Sequence, residues 1–431
     1  MMRLISAMIL ILGVAGMLPG LAVASPLAEA ENLLRVGNLS EARARLIAMT
    51  PTSPAEAERR NWALAVAHMR SGAPQSAVPL LDRLVSARPG DARYRMELGL
   101  ALWRSGAPGR ARYHLDLVRG ANGLDPKVRT GIEGVLRQID RPKLWEGYLS
   151  FGIVPETNAV RRTSADSLFI GGDRFQLNPN ARAMPATGLQ IDGGIAFLPR
   201  IGTDLRARFG LRASTRFFEK SVLNDVSVKA EAGVEGTTRS GAQWVVVGTL
   251  QRRELGNASY SRGQGLRVGW ASRVGRAGHL RLRAEHEVLR HARARLLDGP
   301  RSLIAATYSH ALASNLMVNG TLYVNRARTK LATEDADGAG VVVGLQYGFA
   351  GGLVVDLNLA LNRTDRRGVD RIFGIVREDR RSAVSARIKH RELRLGGFAP
   401  VFEVGHERQR STIALNSYRN THVSLGLSRD F

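Results

Sequence analysis

The chain has 431 residues, a formal charge of +24 and no cysteine. That length calls for more than one domain, and the missing cysteine excludes disulfides, thiolate metal sites, cysteine nucleophiles and a lipidated N-terminus. Arginine dominates the charge, and behind an export signal it suits anionic lipid headgroups, lipopolysaccharide phosphates or an acidic passenger, with no nucleic acid among the expected partners.

The first residues carry that signal. Arg3 supplies a positive start, Leu4 to Leu18 is apolar, and Pro19-Gly20 breaks the run. Ala22-Val23-Ala24 then places small residues where a signal peptidase reads, so residues 1–24 are expected to be a signal peptide cleaved before Ser25. No later stretch approaches the length of uninterrupted apolar sequence that a transmembrane helix needs.

Residues 25–141 read as a helical, periplasmic domain. Arg70-Ser71-Gly72-Ala73-Pro74 returns as Arg104-Ser105-Gly106-Ala107-Pro108, and the spacing, about 34 residues, is that of tetratricopeptide repeats. Gly72, Ala77, Leu81 and Leu84 align with Gly106, Ala111, Leu115 and Val118, and a fainter copy sits at Gly37, Ala42, Leu46 and Met49. Small residues at the turn and at the helix crossing let antiparallel helices approach closely. Lys127 to Asp140 reads as a closing helix with Val128, Ile132, Val135 and Ile139 on one face. These segments resemble tetratricopeptide repeats, which imply a concave surface for a peptide or protein.

After Arg141-Pro142 the texture changes to period-two alternation, and residues 142–431 read as an antiparallel transmembrane β-barrel. Along Asp204 to Phe217, Leu205, Ala207, Phe209, Leu211, Ala213 and Phe217 fall on one face, and Arg206, Arg208, Arg212 and Arg216 on the other. Similar strands recur to the C-terminus, about fourteen in all, an even number that leaves both barrel ends on one side. Short turns, such as Pro199–Gly202 and Gly275–Gly278, are expected to alternate with longer polar outer loops at Pro155–Ala186, Leu255–Arg262, Arg290–Pro300, Thr329–Gly338 and Arg363–Arg380. The last strand ends in an aromatic, with Val423, Leu425, Leu427 and Phe431 on one face. Such a strand is similar to the signal that barrel-assembly machinery reads.

No catalytic, cofactor or metal constellation stands out, and no enzyme is expected. His286 and His291 lie five apart in a strand and face opposite sides. Gly263, Gly265 and Gly269 do not fit a dinucleotide fingerprint, and Glu334 to Gly338 lacks the ligand spacing of a calcium loop. The polar faces say more. Arg206, Arg208, Arg212, Arg216, Arg267, Arg273, Arg281 and Arg283 point into the expected lumen, where Glu231, Glu235, Glu285 and Glu287 can meet some of them. Two readings stand at this point: a wall filled by salt bridges, or a positive surface that contacts cargo.

The parts together resemble the surface lipoprotein assembly modifiers. Gly152-Ile153-Val154-Pro155-Glu156-Thr157-Asn158 is similar to that family's glycine-x-x-proline-x-x-asparagine junction, marked by Gly152, Pro155 and Asn158. Pro400-Val401-Phe402-Glu403, Arg410-Ser411 and Tyr418-Arg419-Asn420 leading to Phe431 are similar to its close. Ala159-Val160-Arg161-Arg162 departs from its asparagine-rich continuation. The resemblance implies an outer-membrane factor that helps lipoproteins or related soluble binding proteins reach the cell surface, with secreted or lipidated cargo and the barrel-assembly machinery as partners. An exopolysaccharide export porin and a general solute porin are the alternatives.

Overall fold

Short polar side chains start the N-terminal helices. Ser25 Oγ accepts from the Ala28 N–H at 3.2 Å, Asn38 Oδ1 from Glu41 at 3.3 Å, and Ser53 Oγ from Glu56 at 3.2 Å. Proline opens α1 (Pro26–Val36), α3 (Pro54–Arg70), α4 (Pro74–Ala87), α6 (Pro108–Gly120) and α7 (Pro126–Ile139), while α2 (Leu39–Ala48) and α5 (Ala92–Arg104) start without it. The computed structural model describes residues 25–121, 123–139, 144–170, 172–275, 277–313, 315–349, 353–390, 393 and 395–431. The expected signal peptide and the expected domain border near Arg141 lie outside the described residues.

The chain divides into two compact units between Val118 and Arg119. In the first, helices pair as hairpins, and each repeat's turn glycine takes the left-handed conformation that a Cβ would resist: Gly37 at φ 87°, Gly72 at 74° and Gly106 at 78°. The residues aligned by the repeat are the ones that pack. Ala42, Leu46, Ala77, Leu81, Leu84, Ala111, Leu115 and Val118 are all at most 2% exposed, whereas Met49 is only half-buried. On α3 and α5, Trp62 and Tyr94 sit 5.2 Å apart with Arg93 over both rings, and the Tyr94 hydroxyl donates to Glu58 at 2.5 Å. Burial raises the pKa of Glu97 on α5, with Arg104 pulling it down.

The second unit holds α7, which buries Ile132, Val135 and Leu136, and a closed antiparallel barrel. Its fourteen strands are β1 (Trp145–Glu156), β4 (Ala186–Phe197), β5 (Leu205–Phe218), β6 (Asp225–Thr237), β7 (Gln243–Leu255), β8 (Ala258–Val274), β9 (Gly278–His291), β10 (Gly299–Ala313), β11 (Leu316–Ala327), β12 (Ala336–Gly348), β13 (Leu353–Val369), β14 (Val376–His390), β15 (Ala399–Ser411) and β16 (Tyr418–Asp430). Each pairs with its sequence neighbour, and β16 pairs with β1 to close the ring, so no edge is left to face lipid. A small hairpin, β2 (Ser167–Ile170) with β3 (Asp173–Gln176), sits in the connection from β1 to β4.

Alternation decides which side chains meet lipid. Leu189, Ile195, Phe209, Leu211, Leu282, Ile304, Leu322, Leu359 and Leu425 are exposed on the outer surface. At the periplasmic ends an aromatic girdle forms from residues such as Trp145, Phe197, Trp270, Tyr308 and Phe349, with Trp145 and Phe197 in contact at 4.5 Å.

The expected alternation of short turns and long outer loops is corrected by the structure. Leu255–Arg262 is not a loop: β7 and β8 are joined by the two-residue turn Gly256-Asn257, at φ 57° and 61°. Arg290–Pro300, Thr329–Gly338 and Arg363–Arg380 contain short connections only, and most of the last belongs to β13 and β14. Strands of up to 17 residues outrun the roughly ten that cross a bilayer, so their charged outer ends continue the ladder in water. Polar composition resembled loop because it reports solvent rather than backbone pairing. The one long outer connection among those described is 157–185, which carries β2 and β3.

Candidate functional site: the lumen wall and the closing seam

The arginines of β5 face inward, and register brings them to carboxylates. Arg206 lies opposite Glu235, Arg212 opposite Lys229, and Gly210 opposite Glu231. Glu231 is the hub. It accepts from Arg208 Nε at 2.6 Å and from Arg267 at 2.5 Å, with Arg212 at 3.6 Å, and its side chain is 4% exposed. Gly210 leaves the room: a Cβ there would meet Glu231 Cγ at 2.7 Å. Arg208 also reaches Glu235 and Glu146, each at 2.8 Å, and Arg206 pairs with Glu235. On β9, Arg283 holds Glu285 at 2.6 Å.

The two sequence readings of the lumen arginines therefore divide between residues. Arg206, Arg208 and Arg267 are tied into this wall. Arg212, Arg216 and Arg283 keep a carboxylate neighbour yet stay 44%, 36% and 49% exposed. Arg273 and Arg281 are exposed and make no ion pair among the described residues. Across the lumen the inward positions of β10 to β13 are largely uncharged, with Ala305, Thr307, Thr321, Tyr323, Gly340, Val342, Asn358 and Asn362 among them. The cavity thus has a charged wall facing a smooth polar one.

A second cluster locks the seam. Gly152 lies opposite Gly426, and neither can take a side chain: a Cβ on Gly152 would meet Leu425 O at 2.8 Å, and one on Gly426 would meet Phe151 O at 2.5 Å. Ladder pairs flank Val154 and Pro155 in unbroken register, Ile153 with Leu425 and Glu156 with His422, but are missing at those two residues. Proline has no N–H to give. Asn158 then ties the root of the long connection to the last strand. Its amide donates to Arg419 O at 3.1 Å and to Arg162 O at 2.7 Å, and its N–H donates to Asn420 Oδ1 at 2.9 Å. The Asn420 amide donates to Glu156 at 2.8 Å, and Asn420 is fully buried.

Arg161, in the segment that departs from the family pattern, has φ 50° and reaches both Glu407, at 2.6 Å, and Glu156, at 3.4 Å. Burial opposes its charge, but these carboxylates outweigh burial and its pKa lies above the ordinary arginine value. Glu156 also meets Arg216 at 3.1 Å, and Glu407 pairs with Arg381. Gly152, Pro155 and Asn158 thus lie together at the seam, while Glu156, Glu407, Asn420 and Arg381 were missed as site residues. They come from four segments, and only the register joins them.

The remaining sequence candidates separate. Val423, Leu425 and Leu427 fall on the lipid side of β16, and the Phe431 N–H donates to Gly147 O at 2.8 Å. His286 bonds Ser302 at 2.9 Å, while the His291 N–H donates to Asp298 at 2.6 Å. In the calcium-like segment, Glu334 holds Arg366 at 2.7 Å and Asp337 is engaged by Arg326, Arg328 and Arg367.

The family model of the surface lipoprotein assembly modifiers matches residues 145–431, the barrel from its first strand to its last. The chain belongs to that family. A tetratricopeptide repeat model matches residues 63–126. No curated protein sequence matches the chain. Among solved structures, the outer membrane channel DcaP of Acinetobacter baumannii is 9% identical, covering 67% of this chain and 96% of that one at a TM-score of 0.42. The toluene transporter TodX of P. putida is also 9% identical, over 66% of this chain and 90% of that one, at 0.39. A bacterial polysaccharide outer membrane secretin is 11% identical, over 66% and 98%, at 0.36. Likenesses this loose bear on no point of function. This modifier is an outer-membrane protein with its helical repeats on the periplasmic side, and its family points to assembly or transport rather than catalysis.

Proposed function

We propose that this protein delivers lipoproteins, or related soluble binding proteins, across the outer membrane to the cell surface. The observation that carries the reading is one chain holding both parts: tetratricopeptide repeats at 63–126 and the modifier barrel at 145–431. In this account residues 1–24 export the chain and are removed. Residues 25–141 receive cargo in the periplasm, with Arg93 over the Trp62 ring offering an aromatic, charged contact. Residues 142–431 provide the passage. Arg212, Arg216 and Arg281 meet acidic parts of the cargo, opposite the uncharged wall of β10 to β13. Barrel-assembly machinery inserts the chain through its last strand, Val423, Leu425, Leu427 and Phe431. Anionic headgroups of the outer leaflet take up part of the basic excess. No nucleotide is available in this compartment, so folding of cargo outside supplies the direction.

The test is co-expression with each exported neighbour from the same genome, followed by protease treatment of intact cells. A neighbouring lipoprotein is expected to be cleaved only when this protein is present. If every neighbour stays protected, and loss of this gene instead strips polysaccharide from the surface, the export-porin reading replaces this one.

A further inference from the structure

Five arginines break the apolar outer face of the barrel at its outward end. The register sets them in two adjoining rows. Arg363 lies opposite Arg380 and Arg380 opposite Arg410, while in the next row Arg408 lies opposite Arg419. All five point away from the lumen, because they share parity with the lipid-facing Leu361, Val384, Val404 and Leu425 of their strands. Directly opposed like charges destabilise a sheet, since their Cβ atoms lie about 4.5–5.5 Å apart. The chain offsets only one of them. Arg363 is held by Asp365 at 2.8 Å and by Glu378 at 3.2 Å. Among the described residues, Arg380, Arg408, Arg410 and Arg419 have no carboxylate partner. A second outward row lies at the rim on β7 to β9, Arg252 opposite Arg262 and Arg262 opposite Arg290, where Glu254 holds Arg252 at 2.7 Å.

The surface under these arginines is shaped. A groove of about 710 Å³ runs across the outer face, with Arg380, Arg408 and Arg410 on one flank and Leu322, Val341 and Leu361 on the other. The next row toward the periplasm runs from Leu359 and Val384 to His406 and Thr421, and the row after it is apolar, with Leu357, Ala386, Val404 and Val423 in register. A molecule filling this place meets guanidinium groups on β14 and β15 and, along the same register row on β11 to β13, the aliphatic Leu322, Val341 and Leu361.

We infer that this groove binds the phosphorylated headgroup of an outer-leaflet glycolipid, with Arg380, Arg408, Arg410 and Arg419 on its phosphates and its acyl chains against Leu322, Val341 and Leu361. Guanidinium groups suit phosphate because their planar N–H pairs bond two oxygens at once. Bound phosphate also accounts for the unbalanced rows: anion and arginines together remove the repulsion that the bare sheet carries. The inference rests on the outer-membrane placement of the barrel and not on the identity of the cargo.

Full-length protein, wild type and R380Q/R408Q/R410Q/R419Q, would be purified from outer membranes in mild detergent, and co-purified glycolipid counted per barrel by mass spectrometry. Binding of bisphosphorylated lipid A would then be compared with its dephosphorylated form and with inorganic phosphate. The wild type is expected to retain phosphorylated lipid, and the fourfold variant to bind it weaker by tenfold or more, on the order of what several arginines near an anionic surface contribute. R252Q is expected to bind as wild type does. R408Q/R419Q supplies an intermediate loss should the fourfold variant fail to fold. Equal binding of dephosphorylated lipid A, equal retention by the variant, or a face that instead joins two copies in light scattering would each overturn the assignment. Surface display of cargo by the same variants is read separately, so a failed cargo reading leaves this result standing.

Discussion

Removing residues 26–121, with residues 1–25 kept in front of the remainder, is expected to leave the barrel folded in the outer membrane while cargo stays in the periplasm. The cut falls between α6 and α7, so α7 remains with the unit to which it belongs. The first unit has its own core. Leu27, Ala30, Leu34, Ala42, Leu46 and Ala63 pack together without help from any strand, and the repeat residues of α4 to α6 continue that packing. The barrel satisfies its backbone through its own ladders and closes on itself. Heat-modifiable migration on gels measures barrel folding, and protease treatment of whole cells measures display. Folding near wild type with display lost to background is the expected pair of results. Display that persists would remove the repeats from the delivery path.

Replacing Glu231 by glutamine is expected to destabilise the barrel by about 3–5 kcal/mol, the usual cost of taking one partner out of a buried ionic cluster. The substitution keeps the shape of the side chain and removes the charge that Arg208, Arg267 and Arg212 share. Urea unfolding of the detergent-solubilised protein reads the loss. Arg281→Gln is the matched control. Arg281 is exposed and has no ion pair among the described residues, so its loss is expected to leave the unfolding midpoint unchanged. In the proposed function the same substitution slows cargo display. A stable E231Q barrel would show that water in the lumen already screens the cluster.

Much of this was legible because two periods coexist in one chain. The repeat of Gly72 to Val118 marks helix hairpins through residue size, because tight turns and close helix crossings both call for small residues at fixed spacing. The strand of Arg206 to Phe217 announces a barrel wall through parity, and parity also assigns every arginine to lumen or lipid. Loop lengths were not legible. Charge along Arg363 to Arg380 reports water, and both a loop and a ladder standing above the bilayer are wet. The seam was legible only in part. Gly152, Pro155 and Asn158 stand close in sequence, but Asn420 and Glu407 lie far along the chain, and nothing short of the register says that they meet Glu156 and Arg161. Partners within the lumen share that difficulty: Glu231 could have faced any of eight arginines, and strand pairing chose three.

Whether cargo travels inside the barrel is the central question, and photo-crosslinking asks it directly. A light-activated amino acid placed at Ala305 faces the lumen, and one placed at the adjacent Ile304, which is 60% exposed on the outer face, meets lipid. With a lipoprotein cargo arrested by a tightly folded fusion, adducts are expected at position 305 and not at 304. Adducts at 304 alone, or none at either position while surface display proceeds, would contradict passage through the lumen.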